Sequence, residues 1–139
     1  MTEGFIGDFD LHYIDGRNWR LKDPDNDWGY VTQDGASITP GDGFVTDFAS
    51  VPWFFRRLFP PAGDGPNRAY GPAAVIHDQL YQSGNILGVP VNREWADSIF
   101  LRAMLRLDVE RWVAYTLWLG VRLGGWLPWS RYRKTEGET

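Results

Sequence analysis

The chain contains no cysteine and only two histidines. Without cysteine, disulfides, thiolate metal sites and a cysteine nucleophile are excluded. Zinc is disfavoured as well, because it requires three or more ligands and the two histidines, His12 and His77, lie far apart in the sequence. We assign His12 to an exposed strand position without a functional role. Any histidine chemistry is therefore expected at His77.

Dense basic runs and long apolar runs are also missing. The formal net charge is -4, so nucleic acid is not an expected partner. The first eight residues carry neither a basic head nor an apolar stretch, and we expect no signal peptide. Trp112 to Trp129 contains Arg122, two glycines and a proline, whereas a membrane span needs about twenty largely apolar residues. We expect a packed core helix here, with an assembly interface or contact with a membrane surface as alternatives.

The length of 139 residues indicates a single domain, residues 1–139. Its first part, residues 5–46, shows short alternating segments separated by turn signals such as Asp15-Gly16. This pattern predicts an antiparallel β-meander of four or five strands, which needs a partner layer to be stable. The predicted strands are residues 8–14, 19–21, 28–32, 36–39 and 44–46.

The helical part is predicted over residues 50–126, which gives an α+β fold. Ser50, followed by Pro52, is typical of a helix N-cap and predicts a short apolar helix over residues 53–59. Three main helices are predicted over residues 71–83, 92–107 and 109–123, with a flexible polar tail at residues 130–139.

His77 organises the candidate site. It lies on the first main helix, four residues before Tyr81 and therefore on the same helix face, with Asp78 on the flank. Asp97 lies on the next helix at the edge of its apolar stripe. We expect these two helices to pack antiparallel, so that His77 and Asp97 meet. Such a set suits general-base chemistry with a metal, and equally a buried hydrogen-bond network that only joins two helices.

Asp47 and Ser50 suggest a second arrangement, a Ser-His-Asp triad with His77. The sequence has no Gly-x-Ser-x-Gly elbow around Ser50, however. Capping preference favours the simpler interpretation, with Ser50 as an N-cap and Asp47 as a turn or cap residue.

Three motifs resemble a small family of uncharacterised proteins from tailed bacteriophages and prophages. They are Phe44-Val45-Thr46-Asp47-Phe48-Ala49-Ser50-Val51-Pro52, residues 73–81 with His77-Asp78 and Tyr81, and Ala96-Asp97-Ser98-Ile99-Phe100. The resemblance covers roughly residues 9–126. It implies a phage origin, with the protein in a virion or in the cytoplasm of the infected host, and it supplies no activity.

The motif His77-Asp78-x-x-Tyr81 with Ala96-Asp97 is also similar to the helix pair of phospholipase A2, above all its compact viral-capsid version. The resemblance implies that His77 is the base, that Asp78 binds calcium, and that Tyr81 and Asp97 orient the histidine. The upstream Tyr-x-Gly-x-Gly calcium loop of those enzymes is not present. Asp78 alone is too little for calcium, which takes six or more oxygens, so Asp47 is the candidate second ligand.

Two functional hypotheses follow. The first is a phage-encoded hydrolase that uses His77 as the base, acting on an ester or lipid of the bacterial envelope. The second is a non-enzymatic virion component, in the tail or baseplate, in which the same network is structural and the aromatic C-terminal segment docks on a neighbouring virion protein. A solvent-open pocket at His77 favours the first, whereas a closed network and an exposed tryptophan patch favour the second.

Overall fold

The N-terminal region forms two small antiparallel sheets. The computed structural model describes residues 3–16, 18–48, 51 and 70–137. The strands are β1 Gly4–Ile6, β2 Leu11–Asp15, β3 Asn18–Leu21, β4 Gly29–Val31, β5 Ser37–Ile38 and β6 Val45–Thr46. The first sheet has the order β1-β4-β5 and the second β2-β3-β6.

The antiparallel class of the predicted meander is confirmed, but its order is not sequential. The Asp15-Gly16 hairpin joins β2 to β3 as predicted, whereas β1 precedes the first predicted strand and pairs with β4. Asp23 accounts for the departure: its carboxylate accepts the backbone N–H groups of Asp27 at 3.2 Å and Trp28 at 3.0 Å. These bonds fold the connection back, so β4 leaves the second sheet and joins the first.

Four helices lie in the part of the chain that the structure describes, one more than the three predicted. They are α1 Gly71–Ser83, α2 Arg93–Arg106, α3 Arg111–Gly124 and α4 Trp126–Gly137. Helix α1 ends at Gly84, whose φ of 67° suits glycine and whose N–H donates to the Leu80 carbonyl at 2.8 Å. The Asn92 side chain caps α2 by accepting the Trp95 N–H at 2.7 Å. A small hairpin, β7 Asn85–Ile86 with β8 Val89–Pro90, replaces the predicted loop between α1 and α2.

Helix α4 replaces the predicted aromatic segment and flexible polar tail. Trp129 packs edge-on against Tyr81 with ring centroids 5.2 Å apart. Arg133 donates to the main-chain carbonyls of Tyr81 at 2.7 Å and Gln82 at 2.9 Å, and its guanidinium lies 4.5 Å from the Trp129 ring centroid. Pro128 is tolerated because it lies in the first turn of the helix, where its missing N–H costs nothing.

The core lies between the sheets and the first three helices. Helix α1 is buried on nearly every side, and α2 buries the predicted stripe that includes Ile99, Phe100 and Met104. The predicted helix over residues 53–59 and its N-cap Ser50 lie outside the described residues. None of the described helices is both long enough and apolar enough to cross a membrane.

Candidate functional site

His77 and Asp97 meet in the core, as predicted. The Nε2 atom of His77 lies 2.7 Å from Oδ1 of Asp97, and neither side chain has any solvent exposure. Tyr70, at the start of α1, packs against Phe100, whereas Tyr81, near the end of α1, reaches back to Asp97. The contacts therefore run in opposite directions along the two helices, which gives the expected antiparallel pair.

Asp97 accepts hydrogen bonds from four side chains on three helices. Tyr81 donates its hydroxyl to Oδ1 at 2.6 Å, the same oxygen that His77 contacts. Oδ2 accepts from Arg93 at 3.2 Å and from Arg122 at 2.7 Å. Both carboxylate oxygens are therefore fully used, and the network ties α1, α2 and α3 together.

Sequence reasoning missed the two arginines. Arg93 lies four residues before Asp97 on the same helix, a spacing that favours an ion pair and that would have pointed to it. Arg122 carries a weaker signal, an isolated charge in an otherwise apolar helix. Arg93 also donates to the carbonyls of Val121 at 2.9 Å and Arg122 at 3.2 Å, so it joins α2 to the C-terminal end of α3.

The network fixes the charge state of Asp97. Burial alone would raise the pKa of this carboxyl, but the hydrogen bonds from His77, Tyr81 and Arg122 outweigh burial and hold the pKa below its usual value. Burial and the nearby Asp97 charge raise the pKa of Tyr81 well above its usual value. Asp97 is thus an anion and Tyr81 a neutral donor at physiological pH.

Aromatic rings fix the plane of the imidazole. Phe100 stacks on His77 with ring centroids 4.6 Å apart and an interplanar angle of 27°. The Tyr81 ring lies 4.3 Å away on a tilted plane. Together with the Asp97 bond, these contacts define the ring orientation, which is a requirement for a catalytic base and equally for a close-packed core.

Asp78 is also completely buried, rather than lying on a flank as predicted. Its Oδ2 accepts the Thr46 hydroxyl at 2.7 Å and the Gln82 amide at 2.8 Å, so it joins α1 to β6. Within the part of the chain that the structure describes, its Oδ1 has no hydrogen-bond partner. Burial raises the pKa of Asp78, the Asp47 charge adds to that rise, and the bonds from Thr46 and Gln82 offset only part of it. A buried carboxylate oxygen without a partner is uncommon, and such atoms often mark a binding position.

The structure places Asp47 on the Asp78 side of α1. Asp47 is half-buried, and its charge acts on Asp78 and on Tyr132 of α4. Burial, together with the charges of Asp78 and Asp47, raises the pKa of Tyr132. Ser50, the third member of the suggested triad, lies outside the described residues.

Residues 3–16, 18–48, 51 and 70–137 contain no group of three or more His, Asp or Glu side chains placed to hold a metal ion. Asp78 offers one open oxygen and Asp47 a neighbouring carboxylate, fewer ligands than the six to eight oxygens that calcium takes. Calcium binding therefore stays a prediction.

An α+β domain built around a buried His–Asp helix pair is thus the class that the fold and site define. The chain matches the family model described as "Protein of unknown function (DUF1353)" over residues 19–121, and it belongs to this family. No curated protein matches it. No solved structure matches it either. Membership of an uncharacterised family is as expected, while the phage origin and the phospholipase A2-like role stay predictions.

Proposed function

We propose that this protein is a bacteriophage or prophage hydrolase in which His77 is the general base acting on an ester of the bacterial envelope. The observation that carries the proposal is the 2.7 Å contact between His77 Nε2 and the buried Asp97 carboxylate. A carboxylate on one ring nitrogen holds the proton there and makes the other nitrogen, Nδ1, the basic one. Tyr81 and the two arginines hold Asp97 in position for this role.

The proposed reaction needs only water as co-substrate. His77 Nδ1 takes a proton from water while the water oxygen bonds to the ester carbonyl carbon. The tetrahedral intermediate then expels the alkoxide, which takes the proton back from His77 and leaves as an alcohol beside a carboxylic acid. Asp97 remains ionised throughout and stabilises the imidazolium between the two steps, as its lowered pKa allows.

The two histidines of this chain provide a matched test. We expect His77→Gln to abolish hydrolysis of p-nitrophenyl butyrate and of phosphatidylglycerol vesicles, while His12→Gln retains wild-type rates because His12 lies on an exposed strand. Thermal melting of both variants shows whether the fold is retained. Full activity in a folded His77→Gln variant would remove His77 from the mechanism.

Two features of the structure support a second candidate, a non-enzymatic component of a phage tail or baseplate: the complete burial of His77 and the exposed tryptophans Trp112 and Trp126. His77 has no solvent exposure, so hydrolysis requires a state in which water and the ester reach Nδ1. In the structural alternative that state is not populated, and the network only joins three helices.

Carbethoxylation by diethyl pyrocarbonate separates the two candidates, with His12 as the internal reference. If His77 is modified at a rate within about a hundredfold of His12, Nδ1 is reached by small molecules and the hydrolase is favoured. Protection of His77 until the protein unfolds, together with no hydrolysis of either ester, would favour the virion component. Mass spectrometry of the peptides resolves the two histidines.

A further inference from the structure

Helix α3 exposes an apolar face that continues onto α4. We name this face the α3–α4 stripe; its side chains are between 43% and 70% exposed. Its residues are Trp112, Tyr115, Leu119, Leu123, Trp126 and Leu127. The spacing of three or four residues puts most of them on one side of a helix. The expected packed core helix therefore buries only its opposite face.

The stripe is continuous because α3 and α4 are joined without a loop. The Gly125 N–H donates to the Val121 carbonyl at 2.8 Å, and the Trp129 N–H donates to the Gly125 carbonyl at 3.1 Å. Both bonds have the spacing of an α-helix, so Gly125 lies in a bend of one helical rod. The opposite side of that rod carries Val113, Leu117 and Val121, which are buried in the core.

The charge around the stripe has the opposite sign to the rest of the molecule. Residues 111–137 carry five Lys or Arg and a single Glu, whereas residues 1–48 carry ten Asp or Glu and three Lys or Arg. Arg111, Arg131 and Lys134 are exposed beside or beyond the apolar residues. Asp108 and Glu110 lie at the N-terminal end of the stripe, where Glu110 accepts the Trp112 indole N–H at 2.6 Å.

We propose that the α3–α4 stripe docks on an anionic lipid surface. Tryptophan, tyrosine and leucine side chains insert at the boundary between head groups and acyl chains, while arginine and lysine contact the lipid phosphates. The acidic N-terminal region then faces away from the membrane. A symmetric contact with a second copy would bring the same basic side chains together, which disfavours that occupant. The proposal goes beyond hydrolysis and does not depend on it.

Sedimentation with vesicles tests the proposal, and Leu87 provides a matched control. Leu87 is 92% exposed on the β7–β8 hairpin and is not part of the stripe. We expect wild type and Leu87→Asp to bind phosphatidylglycerol vesicles and not phosphatidylcholine vesicles. Leu119→Asp with Leu123→Asp should weaken that binding by at least about tenfold, since each leucine would lose the free energy of burial in the lipid. Arg131→Gln with Lys134→Gln should weaken it and reduce its dependence on salt.

Three outcomes would overturn the proposal. The first is no binding of wild type to phosphatidylglycerol vesicles, and the second is equal binding by the double leucine variant. The third is a wild-type dimer in solution that the double leucine variant converts to monomer, which would assign the stripe to a second copy. His77→Gln should bind vesicles as wild type does, so a failure of hydrolysis and a failure of docking are read separately.

Discussion

Two His–Asp pairs among the described residues have almost the same contact distance in opposite environments. His77 and Asp97 lie 2.7 Å apart with no solvent exposure, and His12 and Asp10 lie 2.8 Å apart with more than half of each side chain exposed. Water screens the exposed pair, and such pairs contribute little to stability. The buried pair has no water to replace a lost partner, so its contribution depends on every group around it. Burial, and not the contact distance, separates a candidate site from a surface feature.

A second contrast lies within the core, between Asp97 and Asp78. Both carboxylates are fully buried, but Asp97 accepts from a histidine, a tyrosine and two arginines, whereas Asp78 accepts from two neutral side chains and leaves Oδ1 without a partner. Their pKa values accordingly shift in opposite directions. The fold stabilises the charge of Asp97, whereas burial disfavours the charge of Asp78.

The largest effect is expected from breaking the buried pair. Asp97→Ala should lower the free energy of unfolding by about 3–5 kcal/mol, because it leaves His77, Arg93 and Arg122 without their common acceptor. Asp10→Ala, which removes the carboxylate of the exposed pair, should change it by less than about 1 kcal/mol. Urea unfolding measures both. Similar losses of unfolding free energy in the two variants would mean that burial does not determine how much a His–Asp pair stabilises the protein.

The next largest loss of stability is expected at the α3–α4 bend, because Gly125 lies close to the Asp97 network. A Cβ atom at Gly125 would collide with the Tyr81 hydroxyl, which donates to Asp97 at 2.6 Å, and with the Val121 backbone carbonyl. Gly125→Ala should therefore destabilise the protein by about 1–3 kcal/mol. In a Tyr81→Phe background the same substitution should cost less, because the colliding hydroxyl is gone. Equal costs in both backgrounds, in a double-mutant cycle by thermal melting, would show that the bend does not constrain Tyr81.

Local patterns were enough to predict much of the fold and the centre of the site. The Asp15-Gly16 hairpin, the three main helices and the meeting of His77 with Asp97 depend on periodicity, capping and turn residues, which are local. The strand order was wrong because it depends on long-range pairing, here redirected by the bonds to Asp23. Helix α4 was missed because Gly124-Gly125 and Pro128 have the composition of a helix end.

The site residues that sequence reasoning missed act across large sequence separations. Arg122 meets Asp97 from 25 residues further on, and Arg133 reaches the Tyr81 carbonyl from 52 residues away. No local pattern encodes those contacts. The missing hydrogen bond to Oδ1 of Asp78 could not be predicted from the sequence either, because a hydrophobic pattern does not show which buried acceptor lacks a donor.

Acid should weaken the Asp97 network in a defined direction. The folded-state pKa of Asp97 lies below its usual value of 3.8, so the unfolded state binds more protons in that window. The contribution of Asp97 is therefore fully present above about pH 5, and it is lost as pH falls through the folded-state pKa. Melting temperatures from neutral pH to acid should fall more steeply for wild type than for Asp97→Asn. Parallel curves would show that Asp97 is not the group responsible.

The smallest change in stability, and the most informative about function, is expected from Asp78→Asn. The raised pKa of Asp78 means that its ionised form lowers the stability of the folded protein. Asparagine has no charge but keeps an oxygen that can accept the hydrogen bonds of Thr46 and Gln82. Melting at neutral pH should therefore stay the same or rise slightly. At acid pH the two proteins should converge, since the folded wild type retains its proton on Asp78 over a wider pH range than the unfolded chain does.

A calcium titration tests whether the buried carboxylate of Asp78 takes part in metal binding. If the open Oδ1 of Asp78 helps to hold calcium, wild-type melting should rise with added calcium through preferential binding to the folded state, and Asp78→Asn should show no rise. Asp8→Asn, which neutralises an exposed carboxylate, is the control for general charge effects and should respond as wild type does. A rise that persists in Asp78→Asn would place the ion elsewhere. No rise in wild type would contradict the calcium-dependent mechanism. Hydrolysis by His77, oriented by Asp97 and without calcium, would then be the remaining hydrolytic hypothesis.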